Sequence, residues 1–123
     1  MEYRTLTGTG VTVSRASLGT MTFGNETDEA TAIRITHMAL DAGVPWIDTA
    51  DAYTAGRSEE ITGKALAGRR DDVVLASKVV NYAGGNPHRD VGLHRWHIIN
   101  GVERSLRRLN TDRLDILYMH RPD

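Results

Sequence analysis

The run Val73-Val74-Leu75-Ala76-Ser77-Lys78-Val79 decides the fold class. It is almost continuously apolar and β-branched, with no wet–dry alternation, which is the pattern of a strand covered on both faces. Strands of that kind belong to parallel sheets with helices packed outside. On either side lie two more short strand-like runs, Val44 to Thr49 (VPWIDT) and Leu114 to Met119. Further upstream, the apolar run Leu18 to Gly24 is cut by glycines and reads as another buried strand. Glycine inside a strand marks a close approach of backbone or ligand. Tyr3–Leu6 and Val11–Val13, joined across Gly8 and Gly10, read as a hairpin.

Between these strands the period turns helical. Thr27 is the expected N-cap of a first helix, with Asp28 and Glu29 in the first turn, where the macrodipole favours negative charge. Arg34, His37 and Asp41 define its narrow wet face. Ile33, Ile35, Ala39, Leu40 and Ala42 take the broad remaining arc, and Gly43 stops the helix. Ser58 is the expected cap of a second helix that opens with Glu59 and Glu60 and closes at Gly68. After a long loop over residues 80–94, Ile98, Val102, Leu106 and Leu109 set the apolar stripe of a third. The order is therefore hairpin, then β-α-β-α-β-α-β. A small open doubly wound sheet and part of a (β/α)8 barrel both fit that order. An open dinucleotide-binding sheet should carry G-x-G-x-x-G after its first strand. Gly19 and Gly24 do not make that pattern, and the next helix starts too late for it. The barrel is the expected architecture.

Composition limits the function. The 123 residues are 40% hydrophobic and 25% charged, with net charge −1 and no cysteine. Such a chain is neither disordered nor fibrous, and it has no disulfide, thiolate nucleophile or cysteine-bound zinc. The balanced charge argues against nucleic acid and against membrane surfaces as partners. No apolar stretch is long enough to span a bilayer. The opening MEYRTLTGTG lacks the regions of a signal peptide, so a cytoplasmic location is expected. Only two of the fifteen basic residues are lysines, Lys64 and Lys78. Lysine inside an apolar run therefore stands out.

In parallel β/α folds the chemistry gathers at the carboxyl ends of the strands. Asp48 and Asp51 fall at or just past the end of one strand, and Tyr53 lies in the loop beyond. Lys78 lies near the end of the next strand, and His120 ends the last. Lysine is almost never buried unpaired, so Lys78 needs a carboxylate or a lowered pKa. A tyrosine hydroxyl becomes a useful acid once its anion is stabilised by a nearby ammonium, itself held by a carboxylate. A histidine can bind and orient the substrate oxygen. This set suits protonation of a carbonyl oxygen while hydride reaches the carbon, and no side chain carries hydride, so a nicotinamide cofactor is required.

With these residues in place the chain resembles the aldo-keto reductases. The likeness rests on YRTLTGTGVTVSRASLGTMTFG, ALDAGVPWIDTADAYTAGRSEEITGKAL, VVLASKVV and HIINGVERSLRRLNTDRLDILYMHRPD. Its specific signals are D-x-x-x-x-Y within IDTADAY, G-x-SEE-x-x-GKAL and SLRRL-x-TD-x-x-D. The resemblance implies an α/β chain of (β/α)8 TIM-barrel type, with residues 1–123 as a single partial domain, the N-terminal half of the barrel. It implies reduction of a small aldehyde or ketone, or the reverse oxidation of an alcohol, with NADP(H). Tyr53 would be the general acid, with Lys78 stabilising its anion, Asp48 pairing with Lys78, and His120 polarising the carbonyl. Gly19, Thr20 and Met21 would lie beside the cofactor, and Asp48 would border the nicotinamide ribose. The hairpin would plug the bottom of the barrel. The fifth to eighth strands of the family hold most of the remaining cofactor groups. His94 and Trp96 depart from the small, polar or basic residues usual before the third helix, which bears on substrate preference.

Other readings compete. A lysine at a barrel strand end can form a Schiff base when desolvation lowers its pKa, but a paired carboxylate keeps Lys78 charged. A non-catalytic half-barrel could act as a binding module and self-associate through its exposed sheet edges. Trp46 and Met119 are expected in the core facing the helices. His88, His94 and His97 are expected to be solvated, with no metal-binding spacing. Arg104, Arg107 and Arg108 are expected on a solvated face with acidic neighbours such as Glu103.

Overall fold

The computed structural model describes residues 1–123. Four parallel strands run in chain order through one sheet: β3 (Leu18–Gly19), β4 (Trp46–Asp48), β5 (Val74–Val79) and β6 (Ile116–Met119). Helices α1 (Glu29–Asp41), α2 (Arg57–Ala65) and α3 (Arg95–Leu109) make the crossovers. Ahead of them, β1 (Tyr3–Thr5) and β2 (Thr12–Ser14) form the antiparallel hairpin, which the Tyr3 hydroxyl ties to the end of α1 by donating to the Gly43 carbonyl at 2.9 Å.

Alternation along the strands sorts their side chains. Ile47, Leu75 and their outward neighbours face the helices, where Leu40, Leu66, Val73 and Leu109 complete the main core. Leu75 is wholly buried, and truncating such a residue to alanine costs about 2–5 kcal/mol. Ladder pairing sets Asp48 beside Ala76, and Lys78 beside Tyr118, on the opposite face. Trp46 shares that face, two residues from Asp48, and does not join the helix-side core as expected. Met119 does point toward the helix side but is 71% exposed, because no strand or helix lies beyond β6.

Several boundaries differ from expectation for local reasons. The third strand stops at Gly19, since Thr20 N–H makes the last ladder bond, to Asp48 O, and Phe23 N–H then closes a turn onto Thr20 O. Asp28, not Thr27, caps α1: its carboxylate accepts from Thr31 N–H at 3.0 Å, while the Thr27 hydroxyl is occupied by Thr22 at 2.9 Å. On α1 the buried line is Ala32, Thr36 and Leu40, and His37 is half-buried with Nε2 2.9 Å from Ala65 O. Gly56, not Ser58, precedes α2. The Ser58 hydroxyl turns inward instead and donates to Thr20 O at 2.7 Å, which ties the end of β3 to this helix.

α3 is rotated by one residue from its apolar stripe. Its buried line is His97, Gly101, Ser105 and Leu109, while Ile98, Val102 and Leu106 are half-buried. On the inward line Gly101 lets α3 approach β5, where a Cβ would lie 2.9 Å from Val79 Cγ2. The close approach of α2 to α3 is at Gly63 of α2, where a Cβ would lie 2.5 Å from Leu109 O.

Candidate active site

Three sheet positions and one turn build the site. Asp48 ends β4, Lys78 lies near the end of β5, and His120 follows β6, its N–H bonded to Val79 O at 3.0 Å. Just past β4 the chain makes a 3-10 turn over Tyr53–Gly56, which swings the Tyr53 ring back over the strand ends. The structure brings all four groups together. The Lys78 ammonium donates to Asp48 Oδ2 at 2.7 Å, to Tyr53 Oη at 2.9 Å and to Thr49 O at 3.0 Å. All three of its protons are thus directed. The His120 ring meets the Tyr53 ring edge-on, with centroids 5.7 Å apart.

Electrostatics follows from this packing. Burial works against the charge on Lys78, but its hydrogen bonds to Asp48 and Tyr53 outweigh burial and hold its pKa above the usual lysine value. Lys78 therefore stays cationic. Burial, together with the Lys78 charge, pushes His120 below the usual imidazole range, so its ring is neutral at pH 7. Its Nδ1 is buried without a partner. The Nε2–H tautomer fits that surrounding, leaving the one ring proton facing the open side.

Gly19, Thr20 and Met21 lie at and just past the end of β3. Gly19 pairs with Asp48, and a Cβ on it would meet nothing within 4 Å, so open space lies beside it. Thr20 is buried and its hydroxyl is within 3.2 Å of Asp48 O, whereas Met21 is 65% exposed. A cavity of about 350 Å³ adjoins the group, lined by Ser17, Trp46, Asp48, Lys78, Tyr118, Met119 and His120.

Behind this rim lies a second charged layer, whose residues the sequence alone names singly without joining them. Glu59 is fully buried (0% exposed), paired at 2.7 Å with Arg108 of α3, and accepts a 2.6 Å bond from the Ser77 hydroxyl of β5. Asp51 is 1% exposed, and neither of its carboxylate oxygens has a partner. Burial, with the neighbouring Glu59 carboxylate, pushes its pKa up to about 7. Arg104, Arg107 and Arg108 do not form the solvated face expected of them. Arg104 pairs with Asp90 and donates to Gly84 O at 2.9 Å, Arg108 holds Glu59, and only Arg107 is exposed. His97 is buried rather than solvated, and both its ring nitrogens lack partners. No three histidine, aspartate or glutamate side chains gather in a metal-binding group.

Sequence comparison assigns the architecture. The model of the aldo/keto reductase family matches residues 15–123. The chain belongs to that family. Its whole length aligns at 43% identity with the aldo-keto reductase YhdN of Bacillus subtilis (strain 168), covering 39% of that protein. It aligns at the same identity with a rice protein (Oryza sativa subsp. japonica) described as "Probable voltage-gated potassium channel subunit beta", covering 38% of it. Among solved structures, the holo form of aldo-keto reductase AKR11C1 from Bacillus halodurans superposes with a TM-score of 0.79 at 38% identity, over 95% of this chain and 39% of that one. The chain thus spans about two-fifths of the length of these relatives. Structures of the family are (β/α)8 barrels, and this chain folds as an open four-stranded arc of one, with no closed barrel. No helix is long and apolar enough to cross a membrane.

Proposed function

We propose that this chain carries the acid–base machinery of an NADP(H)-dependent oxidoreductase that reduces aldehydes or ketones, or oxidises the corresponding alcohols. One observation carries the reading: a single ammonium, Lys78, holds both Asp48 and Tyr53 within 3 Å, with His120 packed against the same tyrosine. Tyr53 gives its hydroxyl proton to the substrate oxygen as the carbonyl becomes an alkoxide. The phenolate left behind stays at hydrogen-bond distance from Lys78, whose charge Asp48 keeps in place. His120, neutral, donates from Nε2–H to the same oxygen and orients it. In the reverse direction Tyr53 takes the proton back.

Bound NADPH would supply the hydride to the carbonyl carbon. The residues present fit its nicotinamide end. Gly19 leaves space beside Asp48, and Asp48 uses only Oδ2 on Lys78, leaving Oδ1 to accept from a ribose hydroxyl. Thr20 and Met21 continue that wall. The test follows NADPH absorbance on addition of a nitrobenzaldehyde, comparing the chain with its Tyr53→Phe variant. Loss of turnover with retained cofactor binding is expected. Unchanged turnover in Tyr53→Phe would refute the assignment, and no NADPH binding at millimolar concentration would confine it to a longer polypeptide.

The exposed edge favours a second reading, self-association. β6 has no outer neighbour, and Leu117, Tyr118 and Met119 are exposed along it. Light scattering decides: a dimer supports it, and a monomer at all concentrations removes it.

A further inference from the structure

The turn that carries Tyr53 has an uncommon backbone. Thr54 (φ 49°), Ala55 (φ 52°) and Gly56 (φ 91°) are three successive residues on the left-handed side. Residues with a Cβ persist there only where the surroundings over-determine the conformation. Two contacts do so. The Thr54 hydroxyl donates to Phe23 O at 3.0 Å. Under Gly56 runs the side chain of Arg108, so close that a Cβ on Gly56 would lie 2.7 Å from its Cδ and 2.8 Å from its Nε.

Arg108 is itself clamped. Its Nε–H donates to Glu59 Oε2 at 2.7 Å, and Glu59 Oε1 accepts from the Ser77 hydroxyl at 2.6 Å. Ser77 immediately precedes Lys78 on β5, and neighbouring strand residues point to opposite faces. The turn is therefore tied to β5 twice. On the inner face Lys78 reaches the Tyr53 hydroxyl directly; on the helix side Ser77 reaches Gly56 through Glu59 and Arg108. Neither Glu59 nor Arg108 makes a hydrogen bond to any of the four rim groups.

We propose that Glu59 and Arg108 are positioning residues: their buried ion pair sets the left-handed turn that places the Tyr53 hydroxyl on Lys78. The inference rests on the reading of Tyr53 as general acid given above, but its test reads geometry and not turnover. Lys64 and Lys78 are the only lysines, so the chain labelled with 15N-lysine has just two side-chain ammonium groups, and Lys64, on the outer surface, is the internal control. Tyr53→Phe supplies the reference in which the Lys78–Tyr53 hydrogen bond is gone.

In the paired variant Glu59→Gln/Arg108→Met, which leaves no lone buried charge, the Lys78 ammonium signal at neutral pH is expected to move toward its Tyr53→Phe position. Amide exchange at residues 54–56 should quicken on the order of tenfold, and the Lys64 signal should stay put. Arg108→Lys, which keeps a cationic partner for Glu59 and adds a third ammonium signal, absent from the wild type and so recognisable, should hold the Lys78 signal near the wild-type position. If the paired variant does not fold, the isosteric Glu59→Gln alone is expected to move the Lys78 signal in the same direction. A wild-type Lys78 signal in the folded variant, alongside a shifted one in Tyr53→Phe, overturns the proposal. So does a Lys78 signal that Tyr53→Phe itself leaves unmoved. Loss of turnover in Tyr53→Phe is a separate result and stands or falls independently.

Discussion

Two charged regions of this molecule are built from the same residue types and sit one helix apart. On the outer surface, Glu29 of α1 bridges Arg57 and Lys64 of α2, and Arg57 also holds Glu60; every partner is at least one-third exposed. Around the strand ends, Asp48 pairs with Lys78, Glu59 pairs with Arg108, and Asp51 has no hydrogen-bond partner. The outer pairs keep their water and exchange little free energy for their geometry. The inner groups have given up most of theirs, so Asp48 and Glu59 depend on the cations beside them, and Asp51 is left with none. Adjacent residues of one helix, Glu59 and Glu60, fall on the two sides of that divide. The difference teaches that burial, not pairing, separates charges tied to the strand ends from charges that solvate the surface.

Substitutions can break this contrast, beginning with the inner rim. Removing the ammonium by Lys78→Met should lower carbonyl-reductase turnover by roughly 10²–10⁴-fold, the usual worth of a positioned acid–base group, as measured by NADPH consumption. Behind the rim, Arg108→Met leaves Glu59 charged and unpaired in the core. It should cost about 3–5 kcal/mol in urea unfolding, a loss that adding Glu59→Gln largely restores.

Asp51 gives the third effect, through pH. Its folded pKa of about 7 lies above the ordinary carboxylate value of 3.8, so the folded chain holds this proton more tightly than the unfolded one. Its contribution is therefore most favourable below about pH 4 and is lost as pH rises to about 7, at a slope of up to about 1.4 kcal/mol per pH unit. Comparing urea midpoints of wild type and Asp51→Asn from pH 5 to pH 8 should show the variant gaining on the wild type up to about pH 7 and levelling off beyond it; parallel curves throughout would place Asp51 among the ordinary carboxylates. The smallest effect belongs to the outer network. Lys64→Met should leave the thermal midpoint unmoved, and a drop comparable to that of Arg108→Met would erase the contrast.

Much of this was legible in the residues. Continuous apolar runs announced the parallel strands, and the spacing from Asp48 to Tyr53, with Lys78 inside VVLASKV, marked the rim that the structure assembles. What escaped was contact between elements distant in sequence. Glu59 in a first helical turn already has a local explanation in the macrodipole, so nothing in its own segment points to Arg108, 49 residues away. In α3 the apolar stripe of Ile98, Val102 and Leu106 lies one residue away from the innermost line. The innermost line instead holds His97, Gly101 and Ser105, with Gly101 against Val79 of β5. Trp46 is a different case, since its two-residue offset from Asp48 does put both on one face.

The hydrogen atom that stands in for a side chain at Gly63 is the spacer on which this arrangement is gauged. One turn earlier on the same helix is Glu59, and the backbone it touches is that of Leu109, next to Arg108. A methyl group there would act as a wedge driven between the two helices from outside the sheet. The misalignment would reach the buried ion pair before it reached the Lys78 rim. The alignment of that ion pair is thus set partly at the outer wall, by an atom too small to be noticed as part of it.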